Sequence, residues 1–226
     1  MARKTTGEEK PKVVSYERQK SPKLDKLKKD LFDENKKLLF VCGLPSTGKT
    51  IMCLESAMEQ ICNGRYSRLI IAREVIVPKF GMLPGSSHGK MMFHTRQAEE
   101  YVDKCSQFSF QELVNAKKIE VIPTDQLQGM RFQNAIVFLD EAQNISQDDT
   151  FAILSRRGED SKFLICGDTS KGQQSKKLKD YNILNYCIGK FKSKPYVGIH
   201  RFYDTKDILG DDVTRDIIIT LLDDFM

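Results

Sequence analysis

A chain of 226 residues, 40% hydrophobic and 30% charged, can bury one sizeable core but is short for two complete domains. Its formal net charge of +5 is mild, no apolar run is long enough to cross a bilayer, and the opening residues lack the apolar stretch of a secretory leader. The six cysteines stand singly with no close pair, which argues against zinc and disulfide frameworks and for a reducing cytoplasm.

In chain order, the first thirty residues are rich in lysine (Lys4, Lys10, Lys12, Lys20, Lys23, Lys26, Lys28, Lys29) and read as a basic, flexible arm. Residues 31–226 then form a single domain. Such an arm suits the phosphates of a nucleic acid and suits a solubilising tail equally well. The apolar run 38–42 reads as a buried strand. Residues 49–63 carry Ile51, Leu54, Ala57, Met58 and Ile61 at helical spacing, with Gly64 as the stop. Further strand patterns fall at 68–72, 118–122, 135–139, 162–166 and 196–199, and helix patterns near 97–106, 109–117, 148–157, 179–188 and 211–222. Near-continuous apolar strands alternating with helices predict an α/β fold, a mostly parallel sheet with helices on both faces. Ligands of such a sheet sit at the carboxyl ends of its strands. His88 and His94 lie close in sequence but lack the further ligands a metal site needs.

Three constellations carry chemistry. The first is the octet Gly43, Leu44, Pro45, Ser46, Thr47, Gly48, Lys49 and Thr50, which matches the phosphate-binding loop pattern between a strand and a helix. There the turn aims backbone N–H groups and the positive helix end at one point, which suits a triphosphate. Lys49 would reach the outer phosphates, and the Thr50 hydroxyl would ligate Mg²⁺. The second is Asp140 and Glu141 at the end of an apolar strand, costly there unless a cation is near. Asp140 fits the carboxylate of the metal's shell, and Glu141 the base acting on an attacking water. The third is Asp168, at the end of the 162–166 strand, where a polar group would face the terminal phosphate from the side.

With these residues in hand, the chain resembles the PhoH-like ATPases over roughly residues 36–220. The resemblance rests on the phosphate loop, on Arg73 followed by Phe80, Gly81, Met82, Leu83, Pro84, Gly85 and Lys90, and on Leu127, Gln128, Gly129, Met130, Arg131 and Phe132. It continues in the run Asp140, Glu141, Ala142, Gln143 and Asn144, and in Leu154, Ser155, Arg156, Arg157 and Gly158 ahead of Gly167 and Asp168. It implies a RecA-like P-loop domain related to the superfamily 1 helicase core, with ATP as the nucleotide and Mg²⁺ as cofactor. Single-stranded DNA or RNA is the implied partner, no membrane is implied, and a homo-oligomer is, the hexameric ring being one form. The short chain fits a phage-type member of the family, acting in the host cytoplasm.

The departures from the family pattern are specific. Lys171 stands where the family has glutamine, and Gly210 where it has an arginine that would stabilise charge on the transferred phosphate. Arg156 remains to take that role, in cis or from a neighbouring subunit. Basic residues at 171–179 and 190–194 offer phosphate contacts or simply solvated loops. Nucleic-acid-coupled ATP hydrolysis is the leading expectation. A slowly hydrolysing ATP switch that recruits a protein partner is the alternative, and a small-molecule kinase a third.

Overall fold

The computed structural model describes residues 21–73, 96, 98–103, 106, 108–169 and 182–223. Its centre is a six-stranded sheet made of β1 (Leu38–Gly43), β2 (Arg68–Arg73), β3 (Ile119–Pro123), β4 (Ala135–Asp140), β5 (Ser161–Gly167) and β6 (Val197–Phe202). The strands lie in the order β3-β2-β4-β5-β1-β6, and every neighbouring pair is parallel. The six predicted strands are these six, each within a few residues of its expected bounds. The helices are α1 (Pro22–Phe32), α2 (Lys49–Cys62), α3 (Phe110–Asn115), α4 (Gln147–Leu154), α5 (Ile183–Phe191) and α6 (Asp212–Asp223), with a further helical stretch at 98–103.

Side chains alternate across the pleat, so each strand feeds two cores. On one face Leu39, Val41, Ile71, Phe138 and Leu164 pack with Met58 of α2 and the leucines of α1. On the other, Phe40, Ala72, Val137 and Ile165 pack with Leu184 and Cys187 of α5 and Ile153 of α4. This is the doubly covered parallel sheet the sequence predicts, with partly exposed side chains confined mainly to the edge strands β3 and β6.

The expectation for residues 1–30 needs correction. Residues 1–20 lie outside the described residues, but 22–30 belong to a packed helix. Pro22 takes the first helical position, where its missing N–H costs nothing, and Leu24, Leu27 and Leu31 form a buried stripe against α2. Three polar ties reinforce it. Lys23 pairs with Asp207 at 2.6 Å, Asp30 meets the His200 ring at 3.0 Å, and the buried Lys162 ammonium donates to the carbonyls of Leu31 and Asp33. Lys23, Lys26, Lys28 and Lys29, four of the lysines that suggested an arm, lie on the solvent face of an amphipathic helix.

Two other boundaries differ. The helix expected over 148–157 ends at Leu154, because the chain must turn at Gly158, where a Cβ would come within 2.0 Å of the Phe132 carbonyl. The helix expected over 179–188 runs instead from Ile183, capped by the Asn182 side chain, which accepts from the N–H groups of Leu184 and Asn185.

Candidate active site

A pocket of about 530 Å³ opens at the carboxyl ends of β1, β4 and β5. Its floor is the loop between β1 and α2. Gly43 closes β1 against β6 so tightly that a Cβ would stand 2.3 Å from the Phe202 carbonyl oxygen. Gly48 enters α2 with φ +77°, a left-handed conformation that glycine adopts without steric cost. Gly43, Pro45, Ser46, Gly48, Lys49 and Thr50 line the pocket, whereas Leu44 and Thr47 are buried beneath it. Thr47 donates to the Leu44 carbonyl, fixing the turn from below. The Lys49 ammonium lies on its own loop, 2.5 Å from the Leu44 carbonyl and 3.2 Å from the Thr47 hydroxyl. Among the described residues lining the pocket it is the sole cation.

Opposite the loop, β4 ends at Asp140, buried at 7% exposure. The Thr50 hydroxyl donates to its Oδ1 across 3.3 Å. Burial, followed by the adjacent Glu141 charge, pushes the Asp140 carboxyl up to about 6, while Arg73 and the Thr50 hydrogen bond pull the other way. A buried acid beside a hydroxyl, at the mouth of a phosphate loop, fits Mg²⁺. That ion characteristically takes one or two protein oxygens and completes its octahedron with water and substrate phosphates. Among the described residues no cluster of three His, Cys, Asp or Glu side chains stands ready to hold a metal ion.

Glu141 sits in the left-handed region, φ +50°, at the start of the 3₁₀ turn of residues 142–144. Its carboxylate is held on both oxygens. Arg73, at the end of β2, stands 3.4 Å from Oε1, and the Gln143 side-chain amide donates to Oε2 at 2.6 Å. Asp168 follows β5 and is buried at the pocket wall, where its N–H donates to Gln143 Oε1 at 3.1 Å. Behind it the Asn182 amide donates to the Asp168 carbonyl, and the Tyr203 hydroxyl, pushed up to about 12 by burial, stays neutral beside Thr169.

The structure therefore brings Lys49, Thr50, Asp140, Glu141 and Asp168 to one pocket. It does not bring Arg156 there. Arg156 lies in the exposed turn after α4 and before β5, at the amino ends of the strands, so a role in cis is ruled out by its position. Exposed Lys190, Lys192 and Lys194 likewise follow or end α5 at that far side. Gly210 does line the pocket, and a Cβ at that position would meet the Thr214 side chain at 2.6 Å. Arg215 instead pairs with Asp212 and donates to the Ile208 carbonyl. Residues 80–85, Lys90, His88, His94 and 171–179 lie outside the described residues. The sequence reading assigned no role to Arg73 or Gln143. Their signal was present, since both fall within motifs, but only the fold shows that they share a carboxylate.

The fold and pocket define an α/β P-loop protein, with the phosphate loop and an acidic strand end on opposite sides of one cleft. The chain matches the PhoH-like protein family over residues 18–221, and it belongs to that family. It is 28% identical over 174 residues to Protein PhoH of Escherichia coli (strain K12), a match covering 75% of this chain and 49% of that protein. A PhoH-like protein of Synechocystis sp. is 30% identical over 135 residues, 58% of this chain and 41% of its own. The chain thus spans about half the length of the curated relatives it matches. Among solved structures, the large terminase of a thermophilic bacteriophage, in complex with ADP, shares the fold with TM-score 0.56 and 12% identity, over 87% of this chain and 49% of that one. No helix among the described residues is long and apolar enough to cross a membrane.

Proposed function

We propose that the chain is a Mg²⁺-dependent ATPase whose turnover is coupled to single-stranded DNA or RNA, and that it works as a homo-oligomer. The observation that carries the reading is the convergence of Lys49, Thr50, Asp140 and Glu141 on one pocket. Adenine as the base rests on family membership and on the ADP held by the terminase of like fold.

The residues divide the work by chemistry. The N–H groups of the 43–50 loop and the N-terminus of α2 receive the phosphates, and Lys49 leaves the Leu44 carbonyl for the outer ones. Thr50 and Asp140 hold Mg²⁺, which when bound neutralises charge on the outer phosphates. Glu141 takes the proton of the attacking water, and Asp168 flanks the terminal phosphate. Among the described residues Lys49 is the sole cation lining the pocket, and Arg156 lies at the far end of the sheet, which leaves the described part of one copy short of positive charge for the transition state. That shortage favours a neighbouring subunit's arginine. Where no neighbour supplies one, it favours the second reading, a slow ATP-dependent switch acting through a protein partner.

Phosphate release from ATP and Mg²⁺, with and without single-stranded DNA and RNA, tests the proposal against Glu141→Gln. Stimulated turnover that disappears in the variant while ATP binding persists is the expected result. Equal turnover in both proteins removes Glu141 from its role, and tight binding without turnover in the wild type leaves the switch.

A further inference from the structure

Gln143 belongs to the acidic motif and lines the pocket, and the proposed function gives it no role. The residue is 2% exposed, and its amide spends both ends on the site. Nε2 donates to Glu141 Oε2 at 2.6 Å, and Oε1 accepts from the Asp168 N–H at 3.1 Å. The two partners directly follow different strands, β4 and β5, and both line the pocket. Gly167 makes room for this arrangement, since a Cβ there would stand 2.3 Å from Gln143 Oε1. The far side of Asp168 is anchored as well, through the Asn182 amide on its carbonyl.

We infer that Gln143 is a positioning residue that couples the Glu141 carboxylate to the end of β5, so that a phosphate arriving against Asp168 sets the orientation of the base. The inference rests on the reading of Glu141 given above. A primary amide is suited to the task because it presents one donor and one acceptor edge about 2 Å apart on a rigid plane. A carboxylate in its place would keep the bond from the Asp168 N–H but would lose the donor and set a second negative charge against Glu141. A thioether of the same length would lose both bonds while keeping the packing. Glu141 is half-exposed and strained into φ +50°, so its own backbone does not fix the carboxylate. Arg73 on Oε1 supplies charge balance, and Gln143 supplies the link to the sensing strand.

Two measurements on the full chain test the coupling. In steady-state ATP turnover, Gln143→Met and Gln143→Glu should each lower kcat at least about tenfold with KM for ATP held within about twofold, because only the base is misplaced. Unfolding temperature reports whether each variant is folded, and Gln143→Glu, which keeps the acceptor for the Asp168 N–H, serves if Gln143→Met is not. Wild-type kcat in both variants beside an inactive Glu141→Gln overturns the inference while leaving the proposed function standing. Full activity in Glu141→Gln instead defeats the proposed function, and the coupling is then judged without turnover, by amide hydrogen exchange at Asp168 in a double-mutant cycle. Glu141→Ala should speed that exchange when Gln143 is present and add nothing in Gln143→Met. Exchange unchanged by Glu141→Ala with Gln143 present would sink the coupling.

Discussion

The Thr50 hydroxyl and Oδ1 of Asp140 stand 3.3 Å apart, joining the first turn of α2 to the last residue of β4 across 90 positions of sequence. The hydrogen bond is weak in length, and Asp140 remains a buried acid pushed up to about 6 from its ordinary 3.8. A raised carboxyl stabilises the folded chain fully below 3.8, and that contribution is lost as pH rises through about 6. The difference corresponds to about 3 kcal/mol at neutral pH. Asp140→Asn should therefore make the metal-free protein more resistant to urea at pH 7 by up to about that amount, with little gain at pH 4, where Asp140 is largely neutral. The same substitution should weaken Mg²⁺-dependent ATP binding at least about tenfold, through loss of a charged ligand. Urea titrations at both pH values, with Mg²⁺ titrations of ATP affinity, check the pair of effects, and their opposite signs exclude simple misfolding.

Lys49 lies 2.5 Å from a carbonyl of its own loop, so its charge is already spent on the site before nucleotide arrives. Lys49→Ala should weaken ATP binding by more than about 3 kcal/mol, a charge-assisted contact to phosphate being the main loss. Adenosine binding should change little, since the ammonium faces phosphates and not base. Calorimetric titration with ATP, ADP and adenosine separates the two, and equal losses for all three would count against a phosphate role.

Arg156 lies at the amino ends of the strands, one strand length from the pocket of its own subunit. Any effect it has on hydrolysis must come from one copy acting on another. Arg156→Ala should leave kcat unchanged in protein dilute enough to be monomeric and lower it at concentrations where copies assemble. Turnover measured across a dilution series, beside light scattering for mass, shows whether the two transitions coincide. A defect equal at every concentration would contradict a trans role.

The candidate site was largely legible in the sequence because the residues that meet in its pocket stand in short, local patterns. The 43–50 loop, Asp140 with Glu141, and Asp168 each sit at the carboxyl end of an apolar strand, and a parallel sheet brings such ends together. What was not legible depended on partners distant in sequence. Arg73 and Gln143 become meaningful only when β2, β4 and β5 lie side by side. Arg156 looked useful by motif, yet the chain turns at Gly158 and leaves it at the wrong end of the sheet. The lysines of residues 22–30 outweighed, to the eye, three leucines whose helical spacing carries the packing.

Lys162 shows how far that packing extends. It is fully buried, at the second position of β5, and its ammonium donates to the Leu31 and Asp33 carbonyls at the end of α1. Burial, and then the Arg65 charge, draw it down to about 8 from 10.5. A depressed amine stabilises the fold above its unfolded value and loses that contribution as pH falls through about 8. The wild type should gain about 1–3 kcal/mol between pH 7 and pH 10 from this group. Lys162→Met should show a flatter profile over the same window, and subtraction of the two curves removes the titration of other groups. Parallel curves would mean that Lys162 keeps an ordinary charge equilibrium.

Leu27 lies on the middle turn of α1 at 0% exposure, between Leu24 and Leu31 in the core shared with α2. A leucine on a solvated arm could be truncated without consequence. In the packed helix, Leu27→Ala should cost about 2–5 kcal/mol, the transfer and cavity terms together. Since α2 begins at the phosphate loop, and α1 reaches residues 205–207 through Lys23 and Asp207, the loss should also weaken ATP binding modestly. Lys26→Ala supplies the control, because an exposed position of the same helix should shift stability by less than about 0.5 kcal/mol. Urea denaturation of both variants decides between helix and arm, and a silent Leu27→Ala would return residues 22–30 to the solvent.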